Sequence, residues 1–198
     1  IDGTHWEGEL SSSALSTAVA SFALCTIDGI GDRDAYRRGC SWLVQNQNTD
    51  GSWGDTTVSR GNLSTTLLVW AAIADGNGRD GEFGAVAERA ESWMVSRLGE
   101  LSPAGIASAL VASYGTDRSF SVPILTMCAL SGRLGASPGC WRHVPQLPYE
   151  LAVFPHSLYA ALGLPVVSYA LPALIAMGIA RDRLRGGILG RLSPRRLT

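Results

Sequence analysis

Apolar residues along this chain recur at helical spacing and are interrupted by Gly and Pro, not by the alternation of a strand. In LSSSALSTAVASFAL (10–24), Leu10, Ala14, Ala18 and Phe22 stand four apart with Leu15 and Val19 beside them, which makes one face of a helix. DRDAYRRGCSWLVQNQ (32–47) begins with acids, where the helix dipole favours them, and ends on Trp42 and Leu43. Further helices are predicted over 62–76, 83–99, 102–115 and 120–135, each bounded by Gly or Pro. Pro123 is expected in the first turn of its helix, where a missing N–H costs nothing. The fold class is all-α.

The helices also repeat. RRGCSWLVQNQ overlays ERAESWMVSRL with Arg38 on Arg89, Gly39 on Ala90, Trp42 on Trp93 and Leu43 on Met94. A period near 50 residues holding two helices marks stacked helical hairpins, none able to bury its apolar face alone. Their natural closures are an open solenoid or an α/α barrel (a toroid), whole or incomplete. One such domain over 1–180, followed by an Arg-rich tail or linker over 181–198, is the expected organisation.

Composition narrows the partners. With 46% hydrophobic and 17% charged residues the chain is globular, and its net charge of −1 gives no reason to expect nucleic acid. All 16 basic residues are Arg. Cys25, Cys40, Cys128 and Cys140 form no CxxC and have no His at ligand spacing, so reduced thiols and no metal or cofactor are expected. No cationic leader with an apolar core is visible, and the chain begins at Ile1, as a fragment or a processed chain would. A cytoplasmic location follows.

One stretch carries more than periodicity. In QNQNTDGSWGD (45–55) a polar turn ends on a tryptophan, a residue costly to expose. Arg38, Gly39, Trp42, Leu43, Gln47, Gly51 and Trp53 are spaced as in the QW repeat, and the chain resembles the class II triterpene cyclases, the squalene-hopene and oxidosqualene cyclases. The physics of such a repeat is a staple. Gln47 can bond backbone groups of the next helix, Gly51 permits a positive φ, and Trp53 can seal the junction between hairpins. In the second copy Trp93 persists, but Leu98 stands where the Gln should be. Residues 4–24, 121–132, 141–155 and 165–178 are similar to further segments of the same family, in the same order.

The resemblance implies an isomerase that protonates a polyprenyl substrate such as squalene, toward hopanoid-type products. That step needs a preorganised carboxylic acid, which the family takes from Asp-x-Asp-Asp. This sequence has no such motif; Asp32-Arg33-Asp34 reads as a solvated first helical turn. No catalytic residue is therefore assigned, and the catalytic C-terminal half is expected elsewhere. In the cavity, π faces would stabilise the travelling cation, and Tyr169 of PVVSYALPALIAMG takes the family's aromatic position as the one substrate-binding candidate. His156 reads as a hydrogen-bonded core histidine, and Glu150 as a cap or turn anchor.

Residues 151–180 contain no charged side chain, but Pro155, Pro165 and Pro172 divide them into pieces too short to span a bilayer. The 181–198 tail carries six Arg against one Asp. An apolar run beside a basic tail fits peripheral attachment to an anionic membrane. Protein prenyltransferase β-subunits share the barrel, but no cysteine here has the Asp two residues earlier that their zinc site needs. Thioester-containing complement-like domains need Gly-Cys-Gly-Glu-Gln, which is absent. The remaining alternative is a stand-alone helical-repeat module that binds an isoprenoid or a protein.

Overall fold

The computed structural model describes residues 11–27, 32–74, 81–161, 163 and 170–185. Among them are α-helices and short 3-10 turns, and no strand, so the fold is all-α. The helices are α1 (Ala14–Thr26), α2 (Arg33–Gln45), α3 (Leu63–Ala72), α4 (Gly84–Leu98), α5 (Pro103–Tyr114), α6 (Arg118–Leu130), α7 (His156–Ala161) and α8 (Leu171–Arg185). They fall in two compact units, one within Ile1–Ile73 and Asp80–Met94, the other within Ala74–Arg79 and Val95–Thr198.

In the first unit α1 packs on both α2 and α3. The α1–α2 crossing is close because Gly39 has no side chain: a Cβ there would collide with Ser21 Oγ. The core is α3, whose residues 65–72 are all buried, together with Cys40, Leu43, Trp53, Ala90 and Met94. Side-chain caps open the helices as the sequence suggests. Ser13 accepts from the Ser16 N–H, Asn62 from that of Thr65, and Asp32 from those of Asp34 and Ala35.

In the second unit α6 lies against α5 and α8, and α8 also touches the 3-10 turns at Gly139–His143 and Tyr149–Val153. Ser102 caps α5, with Pro103 in its first turn. Pro123 departs from expectation. Asp117 caps α6, so the helix starts at Arg118 and Pro123 is its sixth residue, inside the helix. The Asp-Arg-Ser start, with the Asp117 carboxylate accepting from the Ser119 N–H at 2.8 Å, sets the boundary two residues before the apolar run. Arg181 is buried on α8, and its Nε donates to Val144 O at 2.5 Å while Nη1 donates to Gln146 Oε1. Burial lowers the pKa of that guanidinium. No described helix is long and apolar enough to cross a membrane.

Candidate functional site

The most densely bonded part of the first unit is the turn after α2. A helix end leaves its last carbonyls without intrahelical partners, and here the turn supplies them. Asn46 gives its N–H and its side-chain amide to Trp42 O, at 3.1 and 2.8 Å. Gln47 N–H reaches Val44 O, and the Trp53 indole Nε1 donates to Leu43 O at 2.8 Å. Trp53 is fully buried, so its ring adds a large apolar contact to that bond. The chain returns because Gly51 N–H bonds Asn48 O while Gly51 takes φ +90°, a region that disfavours any other residue. Crowding enforces the same choice: a Cβ on Gly51 would sit 2.5 Å from Arg89 O.

Gln47 and Asp50 then tie this turn to α4. Gln47 Nε2 donates to Gly51 O at 2.8 Å and to Val86 O at 3.1 Å, and its Oε1 accepts from both Nε and Nη2 of Arg89. Asp50 accepts from Ser52 N–H and Oγ–H through one oxygen and from the Trp93 indole, at 3.0 Å, through the other. The turn also holds the start of α3. Trp53 N–H donates to Thr66 Oγ1, Asn62 N–H to Trp53 O, and Asp55 accepts from Asn62 Nδ2 and Thr65 Oγ1.

Gln47, Gly51, Trp53 and Leu43 thus meet at one junction. Gly39 lies in the α1–α2 contact instead, Trp42 is half-buried, and Arg38 is exposed. Tyr169 lies outside the described residues, as do 186–198 of the basic tail. Glu150 is exposed in the first turn of the Tyr149–Val153 segment, and His156 opens α7. Sequence reasoning missed Arg89 and Asp50. Gln47 does meet a backbone group of α4, Val86 O, through Nε2, and its oxygen takes the Arg89 guanidinium besides. The overlay of Arg38 on Arg89 marked that arginine, but an overlay carries no information about which side chains face each other.

The chemistry available here is structural. Among the described residues no three His, Cys, Asp or Glu side chains are placed to hold a metal. None of the four cysteines is in a disulfide, and all but Cys25 are buried. Burial pushes the Cys40 thiol up to about 11 and the Cys128 thiol up to about 12, so both are neutral near pH 7. In the second unit a separate apolar cavity of about 460 Å³ is lined by residues between Leu147 and Ile175.

Residues 2–81 match the squalene-hopene cyclase N-terminal domain. A 73-residue stretch is 45% identical to the syn-copalyl diphosphate synthases of Oryza sativa, both the chloroplastic protein of subspecies japonica and that of subspecies indica. That stretch is 36% of this chain and 9% of each relative. No solved structure matches the chain. Residues 2–81 thus resemble the N-terminal domain of a class II terpene cyclase, and the chain spans about a tenth of the length of the curated relatives it matches.

Proposed function

We propose that this chain is the N-terminal portion of a class II terpene cyclase, an isomerase, and that it serves there as scaffold and cavity wall. The observation that carries this reading is the junction at Trp53. Its bonds to α2, α3 and α4 join successive helices, as a QW-type staple between hairpins would. In this reading Arg38, Gly39, Trp42, Leu43, Gln47, Gly51 and Trp53 are structural, and the hairpins are part of an α/α barrel.

No residue of the sequence is assigned the proton-donor role, since Asp-x-Asp-Asp is absent from it. The catalytic half would lie on further sequence, and the substrate would be a polyprenyl chain such as squalene. The relatives' name adds a second class, a diphosphate-bearing isoprenoid. Tyr169 would offer a π face to the cation, worth roughly 0.5–2 kcal/mol, and residues 151–198 would rest on an anionic membrane surface.

Two measurements test the reading. Purified chain incubated with squalene, or with a linear C20 isoprenoid diphosphate, should give no cyclised product. The gene read beyond Thr198 should continue into a second helical half containing Asp-x-Asp-Asp; a stop codon there would leave the stand-alone binding module as the better account.

A further inference from the structure

The apolar cavity of the second unit lies in Leu147–Ile175, beyond the residues that match the cyclase domain. Its walls are Leu147, Leu151, Leu171, Leu174 and Ile175, with the aromatic faces of Tyr149, Phe154 and Tyr159. Among the described lining residues the two phenols are the only side-chain polar groups, and both are committed elsewhere. Tyr159 Oη donates to Leu151 O, and the Tyr149 hydroxyl pairs with the Asp182 carboxylate. Tyr149 is held in place from behind, since it packs so closely on Gly178 that a Cβ there would lie 2.7 Å from Cδ1.

From the described residues a ligand entering this space meets hydrocarbon and ring faces and no free side-chain hydrogen-bond donor. Water gains little there, because a buried water needs two to four polar partners. A charged head group would be stripped of hydration without replacement. On α8, Arg181 is already bonded to Val144 O and Gln146, and Arg183, whose charge reaches the Tyr149 hydroxyl, acts there beside the Asp182 carboxylate, which repels anions. Size sets a second limit. At the packing density of protein interiors, about 0.75, a cavity of about 460 Å³ takes on the order of twenty methylene-sized carbons. The rim is apolar as well, with Leu151 and Phe154 each about half exposed (49% and 51%), which leaves an uncharged surface for the remainder of the chain to cross.

We infer that this cavity is a binding site for a single neutral hydrocarbon chain of about fifteen to twenty carbons, recognised by shape and aromatic contact and not by a head group. The site does not depend on the cyclase reading. If it binds nothing, the scaffold role of the Trp53 junction stands; if the gene ends at Thr198, the site remains.

The test uses the full chain with tritiated geranylgeraniol in equilibrium dialysis, and native mass spectrometry for stoichiometry. One molecule per chain is expected, with saturation in the micromolar range. Competition by palmitoleyl alcohol distinguishes a general hydrocarbon site from an isoprenoid one, and either result fits the inference. Ala152→Trp, at an exposed lining position, fills the space and should weaken binding at least tenfold. Phe154→Ser removes a rim face and should weaken it severalfold. Both variants should keep the wild-type circular dichroism, because both positions are exposed. Absence of saturable binding overturns the inference, as does binding unchanged in both variants. Tenfold tighter binding of the C20 diphosphate than of the alcohol would also overturn it, since that requires head-group recognition.

Discussion

Replacing Trp53 with alanine should be among the most damaging single changes in the first unit. The side chain is fully buried, so its removal forfeits the transfer energy of a large aromatic and leaves a cavity, together ~3–5 kcal/mol. The indole bond to Leu43 O is lost as well. That carbonyl keeps the Asn46 N–H at 3.3 Å, so it is not stranded and the additional cost is at the low end, about 1 kcal/mol. A total of about 5 kcal/mol, with a urea m-value of roughly 2 kcal/mol/M, lowers the unfolding midpoint by about 2.5 M. Trp53→Phe separates the two contributions. It keeps most of the ring and loses the donor, for a cost of about 1.5 kcal/mol. Circular dichroism at 222 nm under urea reads both without depending on tryptophan fluorescence. A Trp53→Ala loss below about 1 kcal/mol would refute the staple argument. Equal losses in the two variants would refute the partition between ring and hydrogen bond.

Gly51→Ala places a Cβ at φ +90° against Arg89 O and should cost roughly 2 kcal/mol or more, read as a lowered melting temperature. Gly39→Ala should destabilise by crowding Ser21, while the exchange Ser21→Gly with Gly39→Ala should recover most of the loss; no recovery would remove the close-contact account. With native protein at pH 8, a thiol reagent should label Cys25 alone, rising to four sites after unfolding; rapid labelling of Cys128 would contradict its burial. Cys128 has a folded pKa raised to about 12 from an ordinary 9.0. Its contribution is whole below pH 9 and is lost as pH rises from 9 toward 12, at about 1.4 kcal/mol per pH unit. Cys40 adds the same sign between 9 and 11, so Cys128→Ala should flatten the alkaline fall in midpoint without abolishing it.

The helices were legible because their signals are local. The acidic start at Asp32, the Gly and Pro boundaries and the Leu10-to-Phe22 spacing predict elements that the structure shows within a few residues, although the first helix begins at Ala14 rather than Leu10. The Gly51 turn was legible for the same reason. What the sequence hid is long-range pairing. Arg89 lies 42 residues from Gln47, and Trp93 lies 43 from Asp50, and no periodicity says that these side chains meet. Pro123 shows a competing local rule, since the Asp117 cap three residues upstream of the apolar run decided where the helix starts. The cavity near Tyr149 depends on how α8 packs, which residue type alone does not encode.

The use made of the carboxylates separates a scaffold from a proton donor. A class II cyclase needs a carboxyl group that carries its proton into the cavity, which requires surroundings that favour the neutral form. The most heavily engaged carboxylates described here serve as hydrogen-bond acceptors. Asp50 accepts three hydrogen bonds and Asp55 two, Asp32 accepts two backbone N–H groups at a helix start, and Glu91 takes the Trp70 indole. Each of these bonds needs an acceptor oxygen, and an ionised carboxylate is acceptor-only. Asp117, capped on by Ser119 through both its N–H and its hydroxyl, is held below the usual carboxylate range. Protonating any of them would weaken a turn or a helix start. The same geometry that makes the Trp53 junction rigid therefore commits its acids to hydrogen bonding, and in the proposed cyclase acid catalysis would fall to a part of the protein other than this staple.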